Sequence, residues 1–143
     1  MKTLTLRIAT LEKLVFDGVV QSVTLPGSAG VLTILPNHMP LITALSLGEI
    51  TARGEHDEFY LAISSGMVEV QPQRVLVLAD EAERAEEIDE ERANEARIRA
   101  EQIMREKRED KETFAQAEAE LQRTLLRLKI IEKFNKRRIR SNV

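Results

Sequence analysis

"RVLVLADEAERAEEID" (residues 74–89) is where the chain changes its pattern. Up to Ala79 the β-branched and apolar residues sit close together, as in a short buried strand. From Asp80 onward alanines recur among acids at helical spacing, Ala82 and Ala85 leading to Ala93, Ala96, Ala100 and Ile103. All six glycines and all four prolines lie before residue 73, and most of the charged residues follow Ala79. A domain boundary is therefore expected between Asp80 and Glu81, with one domain over residues 1–80 and a second over 81–143.

The first domain reads as strands. "TLTLRIA" (3–9) puts Leu4, Leu6 and Ile8 on one face and Thr3, Thr5 and Arg7 on the other. "VVQSVTL" (19–25) puts Val19, Val23 and Leu25 together, with Gln21 between them. "FYLAIS", "MVEVQ" and "RVLVLA" add further strands, and Asp17-Gly18, Pro26-Gly27, Arg53-Gly54 and Ser65-Gly66 punctuate the run as turns. About eight to ten short strands without a helical period predict an antiparallel sandwich.

The second domain reads as helix. Asp80 with Glu83 fits a capping box, as do Thr113 and Gln116 further on. Small residues line the first helix. A second stripe runs Phe114, Ala117, Leu121, Leu125, Leu128 and Ile131. "REKREDKET" (105–113) lies between them, and a break near 109–112 predicts an antiparallel two-helix hairpin. A single helix of about 55 residues, about 80 Å long, is the alternative. The fold class is thus α+β: a β-sandwich followed by a helical hairpin.

Composition excludes several functions. There is no cysteine, hence no disulfide framework and no thiolate zinc site. The formal net charge of −3 argues against a nucleic-acid binder. The N-terminus alternates and so is not read as a signal peptide, and no run approaches the ~20 apolar residues of a membrane span, so direct membrane insertion is not expected.

Few residues suggest chemistry. His38 in "TILPNHMPLIT" (33–43) has no nucleophile or acid beside it, and its plain reading is a turn histidine bonded to the backbone. Pro36 and Pro40 stiffen this loop, and Met39, Leu41 and Ile42 give it apolar surface, which suits docking. His56 sits in a polar hairpin tip, and "LPGSAG" lacks the lysine and helix of a phosphate loop. The tail "KIIEKFNKRRIR" collects Lys129, Lys133, Lys136, Arg137, Arg138 and Arg140. That is either favourable charge at a helix C-terminus or attraction to an acidic protein surface or to anionic lipid.

"EEIDEERANEAR" (86–97) offers one more pattern. Asp89, Arg92, Ala96 and Arg99 fall within an arc of about 80°, with Ala93 on the flank. An alanine floor bordered by a carboxylate and guanidinium forks suits a planar base with a phosphate tail, and Arg123 and Arg127 on the next helix add two forks. Ordinary surface ion pairing of Asp89 with Arg92 is the competing reading. No constellation of an enzyme appears. A stand-alone sandwich with a coiled-coil arm, acting as adaptor or chaperone, is open at this point.

The chain resembles the epsilon subunit of F-type ATP synthase, over nearly its whole length. "VTLPGSAG" (23–30), "ILPNHMPLIT" (34–43) and "SGMVEVQPQRVLVLADEAERAEEID" (65–89) carry the resemblance, together with the order of sandwich and hairpin. It implies a non-catalytic central-stalk subunit with no required cofactor, peripheral at the cytoplasmic face of the bacterial membrane. The implied partners are the gamma subunit, the c-ring and the alpha and beta subunits. The sandwich would dock through Pro36, His38, Met39, Pro40, Leu41 and Ile42. The helices would restrain ATP hydrolysis, with Lys129, Lys133, Lys136, Arg137, Arg138 and Arg140 as the inhibitory tail.

Some bacterial members bind ATP as a regulatory ligand through Ile/Leu-Asp-x-x-Arg-Ala, which Ile88-Asp89-Glu90-Glu91-Arg92-Ala93 matches in full. Glu83, Ala96, Arg99, Arg123 and Arg127 complete the set the resemblance implies. Two departures stand out. Many relatives carry Gly-Glu-x-Gly before "ILP", where this chain has Gly30-Val31-Leu32-Thr33. The basic extension past Ile131 is also longer than in many relatives.

Overall fold

The computed structural model describes residues 2–141. It divides after Arg84 into two compact units. The first holds ten strands: β1 (Leu4–Ala9), β2 (Leu14–Val20), β3 (Ser22–Gly27), β4 (Gly30–Ile34), β5 (Leu41–Leu45), β6 (Gly48–Arg53), β7 (Glu58–Ile63), β8 (Gly66–Gln71), β9 (Arg74–Ala79) and β10 (Ala82–Arg84). Hydrogen bonding orders them β10-β7-β6-β3-β5-β8-β9-β1-β2, with β4 beside β3. β3 and β5 meet at one residue pair, Gly27 with Leu45, so the sheet bends there into two halves. The halves share one apolar core, in which Leu6, Ile8, Leu25, Ile50, Leu61, Val75 and Val77 are fully buried. This is the expected sandwich, with the parallel pair β1–β9 within it.

β1 buries Leu4, Leu6 and Ile8 as its alternation predicts. The next segment differs. Val20 is buried and Val19 is 65% exposed, because a bend at Gln21 separates β2 from β3 and changes which residues face inward. Asp17-Gly18 lies inside β2, and the turn before it is made by Thr10, whose N–H donates to Lys13 O at 2.9 Å.

The largest difference lies at residues 80–84. Asp80 does not start a helix. Its carboxylate accepts from the Ser65 hydroxyl at 2.5 Å, and its N–H donates to Ser65 O at 2.9 Å. Held there, the chain crosses from β9 to pair β10 with β7, Ala82 opposite Ile63 and Arg84 opposite Leu61. Glu83 therefore belongs to a strand of the first unit, and the division falls after residue 84 rather than after 80.

The second unit begins with a 3-10 turn at Ala85–Glu87. Asp89 is the N-cap of α1 (Glu90–Glu106), accepting from Arg92 N–H at 3.2 Å. Glu90 and Glu91 then occupy the first turn, where the helix dipole favours acids. α2 (Lys111–Ser141) follows a four-residue turn. Its cap is Asp110, whose carboxylate accepts from Thr113 N–H at 3.2 Å and Thr113 Oγ1 at 2.9 Å. Thr113 is thus a capped residue, not the cap, and the break lies at 107–110. The seam between the helices buries Ala93 and Ala100 of α1 and Ala117 and Thr124 of α2; Ile130 and Ile131, further along α2 than the span of α1, are buried as well. Leu125, expected in the seam, is 47% exposed, and Thr124 takes its place.

Candidate functional site

The loop from Leu35 to Pro40 leaves β4 and enters β5. Asn37 adopts a positive φ of 69°, and its N–H donates to Pro72 O at 2.7 Å, which ties the loop to the β8–β9 turn. His38 Nδ1–H donates to Met39 O at 2.7 Å, so this histidine braces its own turn. Pro36 and His38 are half-buried and Pro40 is exposed. The apolar side chains split. Met39 (78%) and Ile42 (69%) face outward, whereas Leu41 is half-buried against the core. Leu41 is therefore first a packing residue. Val31, at the position where the resemblance leads one to expect an acid, is 74% exposed.

The strand register extends this surface. Ala44 pairs with Met67, Met67 with Leu78, Leu78 with Ala9, and Ala9 with Leu14. These five form one row across four inter-strand boundaries on the outer face of the half-sheet. Met67, Leu78 and Leu14 are each about half exposed. Ile42 lies two residues from Ala44 on the same face of β5, so the loop and the row are continuous. The sequence did not mark this row.

On the helices the nucleotide candidates are placed unevenly. The Asp89 carboxylate is engaged by its own helix N-terminus. Ile88 is half-buried, and its N–H donates to Ala85 O. Ala93 is 4% exposed and belongs to the seam, while Ala96 is half-buried. Arg92 and Arg99 are exposed, Arg123 pairs with Glu120 at 2.5 Å, and Arg127 is half-buried. One buried group in this region was not anticipated. Thr124 is 0% exposed and its Oγ1 has no hydrogen-bond partner, an arrangement that costs about 1–3 kcal/mol. It follows Arg123 directly and stands as far from the interhelical turn as Ala93 does.

A separate cavity of about 620 Å³ near that turn is lined by Met104, Phe114 and Leu121, with Arg105 and Arg108 at its polar side. The basic residues Lys129, Lys133, Lys136, Arg137, Arg138 and Arg140 are all exposed on α2, and Lys136 pairs with Glu132 at 3.1 Å. At 100° per residue all but Arg138 fall within an arc of about 100°. Among the described residues no helix is long and apolar enough to cross a membrane, and no acidic or histidine cluster could hold a metal ion.

A sandwich that presents an apolar outer row, joined to a helical hairpin, defines a protein that works by docking. Residues 3–85 match the family described as ATP synthase, Delta/Epsilon chain, beta-sandwich domain, and residues 86–132 match its long alpha-helix domain. The chain belongs to this family. It is 48% identical over 136 residues to the ATP synthase epsilon chain of Dehalococcoides mccartyi, covering 95% of this chain and 97% of that one. It is 46% identical over 130 residues to that of Moorella thermoacetica, covering 90% and 96%. A chain in the cryo-EM structure of the Euglena gracilis mitochondrial ATP synthase (OSCP, F1 and c-ring, rotational state 1) shares the fold. Its TM-score is 0.72 at 22% identity, over 83% of this chain and 75% of that one. Family membership sets aside the stand-alone adaptor. This is a non-catalytic subunit of an ATP synthase. The division between the two family domains, at 85/86, falls within one residue of the structural one.

Proposed function

We propose that this subunit works in the central stalk, where its sandwich docks on the gamma subunit and the c-ring and its helices restrain ATP hydrolysis beside the alpha and beta subunits. It would be peripheral, at the cytoplasmic face of the membrane, held by the complex. The observation that carries the docking half is the outer row Ala44–Met67–Leu78–Ala9–Leu14, continuous with Ile42 and Met39. An apolar face of this kind, unpaired in the free subunit, suits a permanent interface. Replacing Met39 and Ile42 with Asp would bury two unpaired charges at such a contact. The sandwich should stay folded while recovery of gamma in the complex falls. Normal assembly and coupling by the double variant would remove the loop from the interface.

A second reading concerns the helices. ATP would act as a regulatory ligand held by Ile88, Asp89, Arg92, Ala93, Ala96, Arg99, Arg123 and Arg127; Glu83, which belongs to a strand of the first unit, is left out of this set. The unpartnered Thr124 hydroxyl at the seam favours a ligand that brings a polar group there. Titration calorimetry on the isolated chain tests this. Saturable heat lost in Arg92→Ala and Arg127→Ala but kept in Glu91→Ala is expected. No saturation up to millimolar ATP would leave α1 a solvated helix without a ligand.

A further inference from the structure

The cavity at the turn end of the hairpin shares no residue with the nucleotide candidates. Its lining follows from the helix period. Glu101, Met104 and Arg105 stand at i, i+3 and i+4 on one face of α1, and Arg108 follows in the turn. Phe114 and Leu121, seven positions apart on α2, supply the facing wall. Met104, Phe114 and Leu121 are only half-buried, so the walls keep apolar surface that neither helix covers. The volume of about 620 Å³ falls within the range of small-molecule sites. The charges at its rim are unequal. The Glu101 carboxylate already accepts from Arg97 at 3.3 Å. Arg105 donates its Nε–H to the Glu101 backbone carbonyl at 3.4 Å, which leaves its terminal nitrogens. Arg108 is exposed, and among the described residues its side chain has no hydrogen-bond or ion-pair partner. Glu118, next along that face of α2, is exposed and outside the lining. An apolar trough thus ends at two guanidinium groups, with no free carboxylate in its lining.

We propose that this cavity binds an amphiphilic anion. A single alkyl chain lies against Met104, Phe114 and Leu121, and its carboxylate or phosphate head is held by Arg105 and Arg108. The two arginines set the direction of the ligand, head toward the turn side and chain along the seam. Because the lining comes from both helices, the ligand touches α1 and α2 at once and stabilises the closed turn end of the hairpin by mass action. The same chemistry is offered by a free fatty acid and by an anionic lipid presented in a membrane. The proposal needs neither ATP nor another subunit, so it stands or fails separately from the readings above.

Met104 is the only methionine of the helical unit, so its methyl group reports the cavity directly. In NMR spectra of the full chain, isotopically labelled at its methionine methyls, decanoate below its micelle concentration should shift Met104 saturably. Met39 and Met67, exposed on the sandwich, should stay in place. Affinity should rise about fourfold for each methylene added from octanoate to decanoate, as the chain is buried. Changing Arg105 and Arg108 together to Gln should weaken decanoate about tenfold and leave the uncharged decanol unaffected. Vesicles of phosphatidylglycerol form the second arm. A Met104 shift with decanoate alone assigns the free acid, and one with the vesicles assigns a membrane lipid. No saturable shift of Met104 with either probe would overturn the proposal. So would Met39 and Met67 moving in step with Met104, or undiminished decanoate binding by the double variant.

Discussion

A methyl group at residue 66 has no room. A Cβ there would lie 2.2 Å from Leu78 O and 2.8 Å from Ala79 Cα, both backbone atoms of the paired strand β9. Gly66→Ala must push β8 and β9 apart at the pair Gly66–Ala79, beside the Ser65–Asp80 bond. The expected cost is about 1–3 kcal/mol. In a urea titration this appears as a lower midpoint with an unchanged slope. The same residues show what a linear reading misses. Ser65-Gly66 reads as a turn; the bend falls at Ser64 and Ser65, and Gly66 already opens β8. That its serine captures the Asp80 carboxylate, and so denies Asp80 to a helix, depends on a contact fifteen positions away. Asp80 with Glu83 has a capping-box pattern, but a tertiary partner outcompetes the local one. Asp89 and Asp110, which have no such partner, do cap helices.

The cap of α2 and the seam respond to different variables. Asp110 is exposed, and hydrogen bonds from the Thr113 backbone and hydroxyl hold its carboxyl below the usual aspartate range. Its folded value lies below the unfolded one, so the cap's contribution is complete above the unfolded value and is lost as pH falls through the folded one. Amides at the start of α2 should therefore lose protection on acidification through that window. Asp110→Asn, which keeps a capping oxygen, should flatten the response. Deeper in the seam, Thr124→Val exchanges an unpartnered hydroxyl for a methyl of the same shape, and should stabilise the hairpin by about 1 kcal/mol. Thermal melting of the variant checks it, and no gain would mean that the hydroxyl is satisfied in solution. At this scale the sequence was a good guide to which segments are helix and strand. It was a poorer guide to rotation. A single bend at Gln21 exchanged Val19 for Val20, and a hydroxyl that scores as polar hid Thr124 in the seam behind Leu125.

For the whole molecule, the order of sandwich and hairpin was legible because the change in glycine, proline and charge content after Pro72 mirrors a real division of the fold. The proposed docking face was only half legible. Residues 34–43 announce themselves by their prolines, whereas the apolar row is assembled from β5, β8, β9, β1 and β2, whose alignment no local pattern fixes. The basic end of α2 lies mainly beyond the family match, which ends at Glu132, so its role must be argued from its own geometry. Lys129, Lys133, Lys136, Arg137 and Arg140 share one side of an exposed helix, and Arg138 projects from the other. If that stripe approaches acidic parts of the catalytic subunits, its attraction is long-ranged and screened by salt, with a Debye length of about 8 Å at physiological ionic strength. Changing Lys133, Lys136 and Arg137 to Gln should then raise ATP hydrolysis by the assembled enzyme and weaken its dependence on salt. Arg138→Gln removes one charge from the wrong side and should change neither. An effect of Arg138→Gln about one third as large as that of the triple variant would mean that net charge alone acts. Unchanged hydrolysis in an enzyme shown to contain the triple variant would acquit the tail as the brake.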